Sequence, residues 1–232
     1  TPAEQACTRR PDVLSQWAFL CCAPIRGWTM TVHLYPNDLP EGLAFGDSVA
    51  IDTETMGLAP HRDRLCLVQL SSGDGEAHLV KIASGQDSAP RLCALLADPG
   101  VLKIFHYARF DLAVLAHATG VMTGPVYCTK VASKLTRTYT DRHGLKDLCR
   151  ELLGIDLSKQ QQSSDWGAET LSDEQLHYAA SDVLHLHALK EKLDETLRRE
   201  NRMALARAAF EYLPARARFD LMAGEDYDPL TH

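Results

Sequence analysis

Val49-Ala50-Ile51-Asp52-Thr53-Glu54-Thr55 is the stretch that decides the fold of this chain. Three apolar residues lead into two acids, and Gly57 follows, so the pattern predicts a buried strand with a polar end. Side chains alternate faces along a strand, and Asp52 and Glu54 therefore point to one side, about 7 Å apart. Two facing carboxylates are costly unless a cation compensates them, which favours a divalent metal site. Taken alone, the pattern also fits a solvated strand end.

The segments around this strand predict an α/β fold. Short turn-rich links join it to two further strands in an antiparallel meander, and strands then alternate with helices. Further strands are predicted at 65–70, 77–82, 101–105 and 126–128, and helices at 90–97, 108–118, 130–135 and 145–153. A capping box of Ser172 and Gln175 begins a long helix, predicted to reach about Arg199, to continue bent or broken through Tyr212, and to be closed by Pro214.

Composition bounds the class of protein. The 232 residues carry a net charge of −7, which argues against a broad, sequence-blind coat on long duplex DNA. Seven cysteines without a CxxC pair argue against a disulfide framework or zinc site and favour a cytoplasmic location. No segment has the ~18 apolar residues of a membrane span. We expect an N-terminal extension at 1–29, non-native or disordered, one domain at 30–213, and a C-terminal tail at 214–232.

Two further acidic motifs lie downstream. Asp111 opens the helix after the fourth strand, where a first-turn acid that favours the helix dipole is the simpler interpretation. Tyr178 and Asp182 are four residues apart on the long helix and share one face. Each of these residues alone fits an ordinary structural role.

The three motifs together are more specific than any one of them. Asp52-Thr53-Glu54, the segment from His106 to Asp111 and the segment from Tyr178 to Asp182 resemble the motifs of the DEDD superfamily of 3′-5′ exonucleases. The tyrosine four residues before the last acid is typical of the tyrosine subclass, which includes ribonuclease D. Segments 60–66, 134–146 and 158–166 are similar to the nano-RNase C family. The resemblance covers about residues 30–213 and implies a single-domain, ribonuclease H-like mixed sheet flanked by helices.

The resemblance also implies a mechanism. Two divalent ions, Mg²⁺ or Mn²⁺, would be held by Asp52, Glu54, Asp111 and Asp182, with Tyr178 orienting the attacking water. The expected substrate is short single-stranded RNA, with dinucleotides preferred and DNA as a further possibility. The expected products are 5′-mononucleotides. The family further implies a cytoplasmic homo-octamer without a membrane partner.

Substrate contacts are predicted with alternatives. Leu58 either wedges between two bases, as the resemblance implies, or covers the edge of the core. His106 either contacts a phosphate or is a satisfied core histidine, and Tyr107 is a candidate for stacking on a base. Segment 129–146 has a net charge of +4, and Lys134, Arg137 and Arg142 are its candidates for the substrate's 5′-phosphate. Gln162 and Trp166 are expected to line the pocket, although Trp166 equally fits a packing role.

Two other functions remain open at this point. One is a broader exonuclease that acts on longer RNA or on DNA ends. The other is a catalytically inactive scaffold that binds nucleic acid on the same fold. The presence of all four acids and Tyr178 argues against the inactive scaffold.

Overall fold

The strand that carries Asp52 lies inside a six-stranded mixed sheet. A computed structural model describes residues 30–86, 88–158, 160–161, 163–224 and 226–231. Its strands are β1 (Thr31–Pro36), β2 (Ser48–Thr55), β3 (Leu65–Ser71), β4 (Glu76–Lys81), β5 (Leu102–Phe105) and β6 (Val126–Cys128). The sheet order is β1-β4-β3-β2-β5-β6. Strands β2, β3 and β4 form the predicted antiparallel meander, whereas β5 runs parallel to both β2 and β6.

Helices cover both faces of this sheet. They are α1 (Pro90–Ala97), α2 (Ala108–Thr119), α3 (Thr129–Thr136), α4 (Leu145–Leu148), α5 (Asp173–Leu184), α6 (Leu186–Arg199) and α7 (Met203–Ala223). A π-helical turn at Cys149–Leu153 extends α4. The main core lies between the sheet and these helices and includes fully buried Ile51, Ile104 and Leu112. The α/β class with a mixed sheet is therefore confirmed.

Most of the predicted elements are confirmed to within one or two residues. The capping box at Ser172 is present, with hydrogen bonds in both directions. The long helix after it is interrupted at His185, because α5 packs on β2, β3 and β4 while α6 packs on β5 and α3. Strand β1, a parallel partner of β4, was not predicted from the sequence. The predicted extension at 1–29 lies outside the described residues.

Two other expectations can be compared with the described residues. Cys66, Cys128 and Cys149 are buried free thiols, as expected of small core residues, and Cys93 is half-buried. No helix in this part of the chain is both long and apolar enough to cross a membrane.

The predicted helix end at Pro214 is wrong. Helix α7 continues through this proline to Ala223, although Pro214 has no amide hydrogen to donate to the preceding turn. Tertiary contacts outweigh that loss, because Arg216 and Asp220 are buried against the rest of the fold. The Arg109 side chain, in the first turn of α2, donates two hydrogen bonds of 2.6 and 2.7 Å to the Asp220 carboxylate. Residues 214–223 therefore belong to α7 rather than to a tail.

This anchor predicts the effect of Asp220→Ala. The substitution leaves two arginines, Arg109 and Arg216, without their shared carboxylate, and Arg216 is buried. We expect the free energy of unfolding to fall by roughly 3 kcal/mol, because removal of one member of a buried ion pair is strongly destabilising. Urea unfolding measures this change, and Glu211→Ala, at an exposed site on the same helix, is the control. Equal effects of the two substitutions would contradict the anchor.

Candidate active site

The site lies at the carboxyl end of β2, where α5 packs against the strand. Asp52 and Glu54 share one face of β2, and Asp182 reaches them from α5. One carboxylate oxygen from each of the three lies within 4.8 Å of the others. Three acids from two distant parts of the sequence are thus brought together by the packing of α5 on the sheet.

Asp111 approaches the cluster from a different element. It lies in the first turn of α2, which follows β5, the parallel neighbour of β2. Its side chain is buried, and the Thr53 hydroxyl donates a 2.7 Å hydrogen bond to its carboxylate. Because Thr53 stands between Asp52 and Glu54 on β2, this bond fixes the fourth acid relative to the other three.

Tyr178 lies one helical turn before Asp182 on α5. Its ring packs against Trp166, with ring centroids 6.1 Å apart and planes tilted by 36°. Burial raises the pKa of the Tyr178 hydroxyl above its ordinary value, and the neighbouring carboxylates, Asp182 first, raise it further. The hydroxyl is therefore protonated at neutral pH in the protein without an ion.

The electrostatics of the four acids are unfavourable without a cation. Burial raises the pKa of Glu54 to about 9, and repulsion from Asp182 and Asp111 adds to the shift. Burial likewise raises the pKa of Asp111 to about 7 and that of Asp182 to about 7, although hydrogen bonds from Thr53 and Tyr178 oppose these shifts. The pKa of Asp52 is raised well above its usual value, by burial and then by the other three acids.

The donor set fits a hard divalent cation. All four groups are carboxylates, and Mg²⁺ and Mn²⁺ prefer oxygen ligands. A bound cation would offset both the burial and the mutual repulsion that raise the pKa of each acid. Among the described residues, Asp52, Glu54 and Asp182 form the one group of three or more potential metal ligands.

A cavity of about 310 Å³ opens above the cluster. Besides the four acids and Tyr178, it is lined by His106, Tyr107, Lys130, Lys146 and Ser158, among others. Lys130 lies 4.0 Å from the centroid of the Tyr107 ring. The cavity therefore combines acids for a cation with basic and aromatic groups that suit a phosphate and a base.

Leu58 does not cover the core. Its side chain is 82% exposed, on the loop that follows β2. The Asp63 carboxylate accepts a 2.9 Å hydrogen bond from the Ala59 amide, which closes this loop. A second, smaller cavity of about 170 Å³ lies beside Leu58 and is also lined by Tyr107. Tyr107 lines both cavities, whereas Leu58 lines the second one beside it.

His106 and Tyr107 line the cavity, and each also has a structural feature of its own. The His106 ring contacts the Thr129 hydroxyl at 2.9 Å and also lines the cavity. Burial lowers the pKa of His106 to about 3, and Lys130 contributes, so the ring is neutral and cannot neutralise a phosphate as a cation. Tyr107 has a φ of +70°, a left-handed conformation that is strained for a residue with a side chain, and its ring is half exposed.

The three basic residues predicted to bind the 5′-phosphate, Lys134, Arg137 and Arg142, are not among the described residues that line the cavity. Arg137 is buried and bonded to Glu151, to the Ser133 hydroxyl and to a backbone carbonyl. Lys134 and Arg142 are exposed outside the cavity lining. The structure instead places Lys130 and Lys146 there, two lysines of the same basic segment. Lys130 lies in the first turn of α3, two residues after the end of β6, and this position near a parallel strand end was the signal that could have identified it.

Trp166 and Gln162 were also predicted to line the pocket. Trp166 is buried in a small core cluster with Leu67, Leu79 and Ala179, and its ring packs against Tyr178 of the site. The packing interpretation of Trp166 therefore describes its position. Gln162 lies outside the described residues.

Known proteins resemble this chain over most of its length. A family model described as 3′-5′ exonuclease matches residues 35–198. Ribonuclease D of Gluconacetobacter diazotrophicus is 39% identical over 155 residues, which are 67% of this chain and 39% of that protein. The chain thus spans about two fifths of the length of the curated relatives that it matches.

Solved structures extend the resemblance to the fold. Brucella melitensis NrnC with bound Mg²⁺ is 57% identical, with a TM-score of 0.84 over 88% of this chain and 100% of that one. Brucella melitensis NrnC bound to pGG has the same identity and coverage and a TM-score of 0.85. These similarities confirm the ribonuclease H-like exonuclease fold.

The shifted acids predict a pH-dependent effect of Glu54→Gln. The pKa of Glu54 is raised from 4.5 to about 9, so the folded protein binds this proton more tightly than the unfolded chain does. Stability of the metal-free protein therefore falls as pH rises through this range. At pH 9 we expect Glu54→Gln to stabilise the metal-free protein on the order of 2 kcal/mol, with a much smaller gain at pH 4.5.

Urea unfolding in the presence of a chelator measures this difference. Glu211→Gln, at an exposed position, is the matched control and should show no such trend. The electrostatic interpretation fails if the gain from Glu54→Gln is the same at both pH values.

Proposed function

This chain belongs to the 3′-5′ exonuclease family, and on that basis we propose that it is a metal-dependent exoribonuclease that releases 5′-mononucleotides from short RNA. The observation that carries the proposal is the convergence of Asp52, Glu54 and Asp182 within 4.8 Å of one another, beside Asp111 and Tyr178 in one cavity. The preferred substrate that we propose is a dinucleotide.

The proposed ligands of two divalent ions, Mg²⁺ or Mn²⁺, are Asp52, Glu54, Asp111 and Asp182. When bound, such ions supply a more acidic water molecule and neutralise charge on the leaving 3′-oxygen. The protein's own contribution is to hold the four acids in place. Thr53 fixes Asp111 by its hydrogen bond, and the packing of α5 on the sheet fixes Asp182.

Tyr178 acts in this proposal as a hydrogen-bond donor. In the protein without an ion its pKa is raised, so its hydroxyl keeps its proton and does not act unaided as a general base. Its hydroxyl can instead orient the attacking water or a substrate oxygen beside Asp182. Trp166 supports this role by packing on the Tyr178 ring.

The cavity supports a short substrate. Lys130 and Lys146 line it, and we assign them to the phosphates of the substrate. Lys134 and Arg142 remain candidates for the 5′-phosphate, while the bonds of Arg137 to Glu151 and Ser133 favour a structural role. The net charge of −7 and the small cavity both suit few phosphates rather than a long chain. Similarity to a protein solved with pGG supports the same choice.

Leu58 and Tyr107 are the proposed base-binding residues. Leu58 is exposed at the second cavity, which shares Tyr107 with the cavity above the acids, and from there it can separate two neighbouring bases. Tyr107 offers a ring to one of them and is held under Lys130. A homo-octamer and a cytoplasmic location belong to the same proposal, on the strength of the resemblance alone.

The decisive experiment compares substrates of different length. The protein is incubated with Mg²⁺ or Mn²⁺ and 5′-labelled RNAs of two, three, five and seven nucleotides, with blunt duplex DNA alongside. We expect rapid loss of the dinucleotide, slow cleavage of longer RNA, and no activity of Asp52→Ala. Rapid trimming of longer RNA or DNA would favour the broader exonuclease, and no cleavage with either metal would favour an inactive scaffold.

The proposed wedge predicts the effect of Leu58→Ala. Removing its side chain loses apolar contact with a base, and we expect KM for a dinucleotide to rise about 10-fold, with little change in kcat. Leu205→Ala removes an exposed leucine on α7 and is the matched control. Steady-state kinetics with a labelled dinucleotide distinguish the two variants, and equal KM values for Leu58→Ala and the unmodified protein would exclude the wedge.

A further inference from the structure

Gln69 lies beneath the acid cluster. It is on β3, directly opposite Asp52 on β2 in the antiparallel register. Residues that are opposite each other in such a pair point to the same face, with Cβ atoms about 5 Å apart. The Gln69 side chain therefore extends under the same face that carries Asp52 and Glu54, towards α5.

The side-chain amide of Gln69 is buried without a hydrogen-bond partner among the described residues. The residue is fully buried, and neither its amide nitrogen nor its amide oxygen has a hydrogen-bond partner among the described residues. Each of the other residues with such an atom in the described part of the chain has one unpartnered buried polar atom, whereas Gln69 has two. Most buried polar groups in proteins are hydrogen-bonded, so a fully buried amide without a partner points to a role in the working protein.

The apolar surroundings leave few choices for that partner. On the same face of the sheet, the nearest register neighbours are Leu67, which is opposite Glu54, and Leu79, which is opposite Gln69. Both leucines are buried in a small core cluster with Ala179 of α5. Asp52 is the polar side chain that the strand register places directly against the amide.

We propose that Gln69 is a positioning residue, whose amide N–H donates to the Asp52 carboxylate when that carboxylate holds an ion. This inference rests on the proposed metal site. An ionised carboxylate has about four lone-pair positions, and an ion uses only some of them. A donor on the protein side fixes the rotation of the carboxylate and thus the direction of the oxygens that remain for the ion.

The test is Mg²⁺ binding without any substrate. Gln69→Met keeps the length of the side chain and removes the amide. We expect the Kd for Mg²⁺ to rise about 10-fold in isothermal titration calorimetry, because such supporting hydrogen bonds typically contribute 10- to 100-fold in affinity. We expect the unfolding temperature of the metal-free variant to be equal to or higher than that of the unmodified protein, since a buried group without partners is removed.

Leu67→Met is the matched control. It places the same side chain two register pairs along the strands, on the same face and opposite Glu54, without removing a polar group. Its Kd for Mg²⁺ should be unchanged.

The outcomes separate a failure of the proposed function from a failure of the role of Gln69. No Mg²⁺ binding by the unmodified protein would overturn the proposed function itself. Binding by the unmodified protein with an equal Kd for Gln69→Met would overturn only the role of Gln69. A weaker Kd together with a lower unfolding temperature, or a variant that does not fold, would also overturn it, because general damage would then explain the loss.

Discussion

Repulsion among half-buried carboxylates is the constraint on which the rest of this structure depends. Asp52, Glu54 and Asp182 have oxygens within 4.8 Å of one another, and burial disfavours the charge of each one. Such an arrangement persists only if the surrounding fold is rigid enough to hold it. The mixed sheet provides that rigidity, because β2 is bonded on both sides, to β3 and to β5. The helix that carries Asp182 then has a fixed surface on which to pack.

Local periodicity was enough to predict the parts of the site. Alternation along a strand placed Asp52 and Glu54 on one face, and the helical repeat placed Tyr178 one turn from Asp182. The capping box fixed where α5 begins. Their convergence was not predictable from spacing, because it depends on how α5 crosses the sheet. The resemblance to an exonuclease family supplied that step.

The errors all concern contacts between residues distant in sequence. β1 joins the sheet through β4, some 45 residues later in the chain (Thr31 pairs with Glu76), and no local pattern predicts such a pairing. α7 continues through Pro214 because distant contacts to Arg109 outweigh the local cost of the proline. The lysines at the site differ from the expected ones for the same reason, since composition identified the basic segment but not which side chains face the cavity.

The anchor between α2 and α7 has a consequence for how the protein is made. Asp111 lies two residues after Arg109, whose partner Asp220 belongs to the last described helix, and Asp182 also comes late in the chain. During synthesis from the amino terminus, the strand with the first two acids emerges long before these partners. The nascent chain therefore lacks a complete acid cluster until Asp182 of α5 has been translated. A chain with this order of elements can assemble its acid site only after α5 has been made, and can anchor α2 only after α7 has been made.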